Sequence, residues 1–134
     1  GFIGSPKMNF LDATLASATP TLATVKLADG ATLQVSADAT PLPAGSKVSL
    51  GIRPEHVIAT AAPQANALKG HVQLAEHLGD TVYLHVALPG AADSFTVRTE
   101  PENPLDTNHA AWLGFPPRRC FLFNEQGKTL PQVA

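Results

Sequence analysis

Cysteine is almost absent from this chain: Cys120 is the only one in 134 residues, alongside one Trp, one Tyr and one Met. A lone thiol has no partner within the chain, so no internal disulfide staples the fold, and the usage agrees with a reducing cytoplasm. Basic charge is also thin. Nine Lys and Arg stand against eleven Asp and Glu for a formal net charge of −2, with Arg118-Arg119 the only adjacent basic pair. A nucleic-acid binder gathers basic charge into a stripe that displaces counterions from phosphates, and without that stripe no RNA or DNA partner is expected. Long apolar runs are missing too: although 44% of residues are hydrophobic, no run approaches the roughly 20 residues that a membrane-crossing helix needs. Pro6 and Asn9 break the apolar stretch that a secretory signal would require. The length suits one domain with its own core and is too short for two complete folds, so residues 1–134 are expected to form a single domain.

What is present reads as β-structure. Apolar residues take every second position in Ala23-Thr24-Val25-Lys26-Leu27 and in Leu33-Gln34-Val35-Ser36, and Asp29-Gly30 between the two runs favours the positive φ of a hairpin turn. The alternation recurs in Val48-Ser49-Leu50-Gly51-Ile52 and in Val82 to Leu88, where Val82, Leu84, Val86 and Leu88 share a face. Phe95 and Val97 bracket Thr96, and Phe121 and Phe123 bracket Leu122. About eight short strands are expected, separated by Gly, Pro, Asn and Asp, with no sustained 3.6-residue period; this is an all-β small barrel or sandwich. Ser5-Pro6 resembles a helix cap with a first-turn proline, but Asn9 to Leu15 also reads as a strand. Ala59 to Lys69 reads as a surface connection, and Pro101-Glu102-Asn103-Pro104 as a loop, since each proline removes a ladder donor.

Catalytic signatures are lacking. Gly45-Ser46-Lys47 has the lysine of a phosphate-binding loop, but Thr40 stands where the earlier glycine belongs. Cys120 has no second cysteine with which to build a zinc site, and alternation turns His71 and His85 to solvent. Glu76 and His77 are adjacent on a strand and point to opposite faces, which is unsuited to sharing a substrate proton. No Gly-x-Ser-x-Gly elbow occurs. By itself the chain is not expected to be an enzyme, and no cofactor or metal is expected in it.

Two segments are more specific than a generic β domain requires. Leu50-Gly51-Ile52-Arg53-Pro54-Glu55-His56 ends a strand at a proline and places Arg53 and Glu55 at its exit, where a local ion pair would contribute under about 1 kcal/mol. Gly1-Phe2-Ile3-Gly4-Ser5-Pro6-Lys7-Met8-Asn9-Phe10-Leu11 opens the chain without an initiator methionine. Together with Gly70-His71-Val72, Glu76-His77-Leu78-Gly79 and the run from Gly114 to Phe123, they closely resemble the C-terminal regulatory (TOBE, OB-fold-like) domain of ATP-binding subunits of carbohydrate-importing ABC transporters, with the maltose/maltodextrin branch nearest. Glycerol-3-phosphate importers share the Phe-Ile-Gly-Ser-Pro and Gly-Ile-Arg-Pro-Glu segments; Met8-Asn9-Phe10 and Pro117-Arg118-Arg119-Cys120 favour the maltose branch.

The resemblance implies an OB-like β-barrel related to molybdate-binding (MOP-like) modules, here without clustered donors for an oxyanion. It also implies a preceding nucleotide-binding domain that carries the ATP and Mg chemistry, and a peripheral location on the cytoplasmic face of the bacterial inner membrane. The implied partners are a second copy of the same subunit and, through the nucleotide-binding domain, the transporter's membrane subunits. In some bacteria a component of the sugar phosphotransferase system or a transcription activator also docks on this domain, and the resemblance carries that role onto Phe10, Gly51 and Gly70. Each of these has a structural reading as well: Phe10 as core, and the glycines as strand-end or bulge residues. Trp112, beside Leu113, Phe115 and Pro116-Pro117, is a candidate for core or interface, with core the preferred reading. Arg118 stands where the family carries glutamate, which puts any contact made by an acidic residue there in doubt. The isolated chain is expected to dimerise weakly or not at all, because the nucleotide-binding half of the contact would be missing. The competing readings are a free-standing oxyanion-binding module and a nucleic-acid-binding barrel.

Overall fold

The computed structural model describes residues 6–133. Ten strands are found among them: β1 (Asn9–Ala18), β2 (Ala23–Lys26), β3 (Thr32–Val35), β4 (Lys47–Ile52), β5 (Ile58–Thr60), β6 (Ala67–Leu78), β7 (Thr81–Ala87), β8 (Phe95–Thr99), β9 (Ala110–Gly114) and β10 (Phe121–Phe123). The helical elements are two single 3-10 turns, Pro54–His56 and Pro117–Arg119. The all-β expectation holds, with two more strands than expected. Ala59 to Lys69 is not one connection: β5 occupies its start and β6 its end, leaving only residues 61–66 as loop. Alanine-rich sequence has no alternation to betray a strand, and tertiary pairing with β9 supplies what propensity does not. Ser5 lies outside the described residues, and from Asn9 onward the strand reading is the one realised.

The strands form two antiparallel five-stranded sheets, ordered β10-β4-β1-β2-β3 and β5-β9-β6-β7-β8. Between β2 and β3 the chain turns at Asp29-Gly30, where Gly30 has φ +90° and Asp29 Oδ1 accepts from Ala31 N–H at 3.0 Å. The C-terminal segment stitches the two edges of the first sheet together. Leu130 N–H donates to the Leu122 carbonyl at 2.7 Å beside β10, while Asp38 N–H donates to Pro131 at 2.9 Å and Val133 N–H to Ser36 at 2.9 Å beyond β3. With both edges met by this segment, the first sheet exposes little free edge. Along β1 the alternation is visible residue by residue: Leu11, Ala13 and Leu15 are buried, while Phe10, Asp12 and Thr14 are exposed. Val82, Leu84, Val86 and Leu88 line the interior as expected, and Phe95 meets Phe115 edge to face at 5.8 Å.

Two asparagine side chains join the sheets. Asn9, the one buried polar residue among the described residues, imitates a strand: its Nδ2 donates to the Thr96 carbonyl and its Oδ1 accepts from Thr96 N–H, both at 2.9 Å, which satisfies part of the β8 edge. At the opposite seam Asn66, with φ +50°, accepts from Gln34 N–H at 2.8 Å, donates to the Gln34 carbonyl at 3.0 Å and reaches the Phe115 carbonyl at 2.6 Å. Asparagine tolerates left-handed backbone better than most residues, so the loop conformation and the latch come from one side chain. Cys120 is fully buried, donates weakly to the Pro116 carbonyl, and has its pKa pushed up to about 12 by burial.

Replacing Asn9 by Ala leaves the Thr96 N–H and C=O without partners and is expected to cost about 2–3 kcal/mol. Asn9→Asp, which keeps an acceptor but sets an oxygen against the Thr96 carbonyl, should do no better. Thermal unfolding of the two variants beside the parent checks this. The Cys120 thiol should ignore a thiol reagent at neutral pH until the chain unfolds. Its folded pKa lies above the ordinary 9.0, so the stability it contributes is fully present below pH 9 and is lost as pH rises toward about 12. Cys120→Ala should flatten that alkaline decline in an unfolding series.

Candidate functional site

The outward face of the first sheet carries three cross-strand rows that register fixes residue by residue. Phe10, Gly51 and Phe121 form one, Asp12, Ser49 and Phe123 the next, and Lys26, Thr14 and Lys47 the third. Neighbours in a row stand within side-chain reach, so the face is graded from aromatic at one end to charged at the other. Phe10 is not core. It is 53% exposed, because the residues that alternate inward on β1 are Leu11, Ala13 and Leu15. Its ring meets Phe123 edge to face at 5.7 Å, and Phe123 lies 6.4 Å from Phe121.

Gly51 lies beneath this cluster. A Cβ built there would come within 2.6 Å of Met8 Sδ, 3.0 Å of Phe123 and 3.2 Å of Phe10, so the three side chains close over a residue that has none. Arg53, two residues on, places its guanidinium 6.0 Å from the Phe121 ring centre. The expected Arg53–Glu55 ion pair does not form among the described residues; Glu55 sits exposed in the 3-10 turn that Pro54 starts. His56, at the end of that turn, points Nδ1 inward without a hydrogen-bond partner among the described residues.

The other two candidates lie elsewhere. Gly70 is on β6 in the second sheet, opposite Ala111. A Cβ there would stand 2.7 Å from the Ala87 carbonyl oxygen and equally close to Leu88 and Val86, so the half-buried Gly70 permits a close approach of backbone and side chains from the next strand. Trp112, preferred as core, instead alternates outward between buried Ala111 and Leu113 and is half-buried beside Lys69 and Thr60. Thus Phe10, Gly51 and Arg53 come together, while Glu55, Gly70 and Trp112 do not join them.

The second sheet holds a contact that adjacency concealed. Glu76 pairs with His85 across β6 and β7, not with its neighbour His77. An extra residue at Gln73 bulges β6 between Val72 and Leu74 and sets this register. The pair is substantially exposed and contributes under about 1 kcal/mol. Phe121 and Phe123 were visible as same-face strand residues, but their meeting with Phe10 depends on the β10-β4-β1 order, which no local pattern encodes.

The two glycines should separate experimentally. Gly51→Ala displaces the flexible end of Met8 and is expected to cost about 1 kcal/mol or less, whereas Gly70→Ala presses on a backbone carbonyl and should cost about 2–3 kcal/mol. Chemical denaturation of both variants measures the difference.

Comparison with known proteins bears on the whole face. The sequence profile of the TOBE domain matches residues 50–123, and that of the MalK OB fold domain matches residues 4–57. The maltose/maltodextrin import ATP-binding protein MalK of Yersinia pestis bv. Antiqua (strain Antiqua) is 33% identical over 127 residues, covering 95% of this chain and 34% of the relative. MalK of Vibrio vulnificus (strain YJ016) is 35% identical over 134 residues, covering 99% of this chain and 36% of the relative. The chain therefore spans about a third of the length of the curated relatives it matches. Among solved structures, the cytoplasmic molybdate-binding protein ModG with molybdate bound superposes with a TM-score of 0.75 at 17% identity, over 85% of this chain and 94% of that one. At that identity the likeness concerns the fold. With the TOBE profile spanning β4 to β10 and the relatives aligning from end to end, this chain belongs to the TOBE domain family.

Proposed function

We propose that this chain is the C-terminal regulatory and dimerisation domain of the ATP-binding subunit of an ABC-type sugar importer of the maltose/maltodextrin kind. The observation that carries the reading is identity of 33–35% along nearly the full chain to relatives named as maltose/maltodextrin import ATP-binding proteins. In this role the domain works with a second copy of the same subunit. It meets the membrane subunits through a nucleotide-binding domain that holds ATP and Mg, on the cytoplasmic face of the bacterial inner membrane. The work is mechanical: a rigid β core keeps two subunits in register while their nucleotide-binding domains close and reopen. A continuous apolar interior and edges tied by hydrogen bonds suit that demand.

The aromatic end of the first sheet, Phe10 with Gly51, Phe121 and Arg53, is where we place the docking of a regulator, either a phosphotransferase-system component or a transcription activator. Supporting this, Phe10 is exposed in a cluster whose burial no element among the described residues completes. Gly70, half-buried on the second sheet, lies away from this cluster, and a side chain there would disturb the packing of β6 on β7.

Replacing the matching third of the Vibrio vulnificus relative with this chain should raise maltose-stimulated ATP hydrolysis above that of the truncated relative; a folded chimera no better than the truncation would refute the proposal. Within that chimera Phe10→Ala is expected to change stability by under about 1 kcal/mol and to leave transport intact while weakening regulator binding about tenfold. Molybdate titrated into the chain should give no stoichiometric heat; a one-to-one isotherm would favour the oxyanion-module alternative.

A further inference from the structure

The charged end of the same sheet face is a groove of about 530 Å3, within the roughly 300–1,000 Å3 range of small-molecule sites. Its floor is the Lys26, Thr14 and Lys47 row together with Asp12 and Ser49, and one wall is Asn124 and Glu125 after β10. Two ammonium groups and two carboxylates surround one concavity, and none of the four makes an ion pair among the described residues. Surface charges of opposite sign so near one another ordinarily compensate each other; here they remain open to a ligand.

The chemistry of that ligand follows from the donor and acceptor count. Lysine only donates, an ionised carboxylate only accepts, and the Thr14 and Ser49 hydroxyls do both. The charges sum to zero, so the groove exerts no net pull on an anion or a cation. A partner of zero net charge that both accepts from the lysines and donates to the carboxylates suits this lining, and an array of vicinal hydroxyls does so at every position without needing fixed charges at a set spacing. The adjoining row borders the groove without lining it: Phe123 is opposite Ser49, and Phe10 is the next residue outward from Asp12 on β1, so apolar surface lies at the rim for the C–H face of a ligand that extends beyond the charged floor.

We infer that the groove over Asp12, Lys26 and Lys47 is a binding site for a neutral saccharide of two or three units. Because the site is open and its charged side chains are flexible, the expected affinity is weak, with Kd on the order of 1–10 mM. The inference rests on the groove alone, and its fate is separate from that of the transporter reading.

The test is an amide chemical-shift titration of the isotope-labelled chain with maltose, sucrose, glucose 6-phosphate and the dipeptide Gly-Gly. Saturable shifts at Asp12, Thr14 and Ser49 with the neutral disaccharides are expected. They should weaken at least about tenfold in Asp12→Asn and Lys47→Gln and stay unchanged in Glu76→Gln on the other sheet. Unaltered core resonances certify that each variant is folded; if either fails, Ser49→Ala and Lys26→Gln replace it. Absence of saturable shifts with the disaccharides, persistence of the shifts in the groove variants, or a clear preference for the sugar phosphate or the dipeptide would each overturn the inference.

Discussion

The two sheets depend on amide side chains that act as missing strands. A sheet edge buried against another element leaves N–H and C=O groups with nowhere to go, and each unsatisfied group costs on the order of 1–3 kcal/mol. Asn9 meets that demand on β8, and Asn66 makes the same paired contact with exposed Gln34 on β3, each presenting a donor and an acceptor at the spacing of a peptide group. Neither glutamine, with its extra methylene, nor aspartate, with no donor, matches both partners in the same place. The hydrophobic interior gives the fold most of its stability, and the two latches decide how the sheets are set against each other.

Much of the architecture was legible because a half-buried strand writes its two faces into the sequence. Val82 to Leu88 and Val48 to Ile52 declared their inward residues directly. The strands that escaped notice were those without alternation, β5 in its alanine-rich setting and β9 around Trp112, where pairing partners distant in sequence impose the structure. For the candidate site, resemblance pointed to Phe10, Gly51 and Gly70 alike, and only register separates them: the first two are opposite one another across β1 and β4, and the third is on the other sheet. Of the two readings of Phe10, docking residue and core residue, the core one fails on its parity on β1 relative to Leu11.

The two sheets differ in the outward faces they present. One sheet face runs from an aromatic end to a polar groove, with Asp12 and Ser49 at the transition. The second sheet's outward face carries scattered exposed leucines, Leu74 and Leu78, and the Glu76–His85 pair. A macromolecular partner and a small ligand could occupy the first face side by side, and each would alter the surroundings of Phe123, which borders both.

Asn9 and Phe10 are consecutive on β1, one tied across the seam to Thr96 and the other turned outward. A single peptide unit therefore separates the grip between the two sheets from an exposed aromatic ring. Anything that seats on Phe10 thus rests one residue away from the clasp that ties the first sheet to β8, and the outer surface and the inter-sheet seam share a single strand.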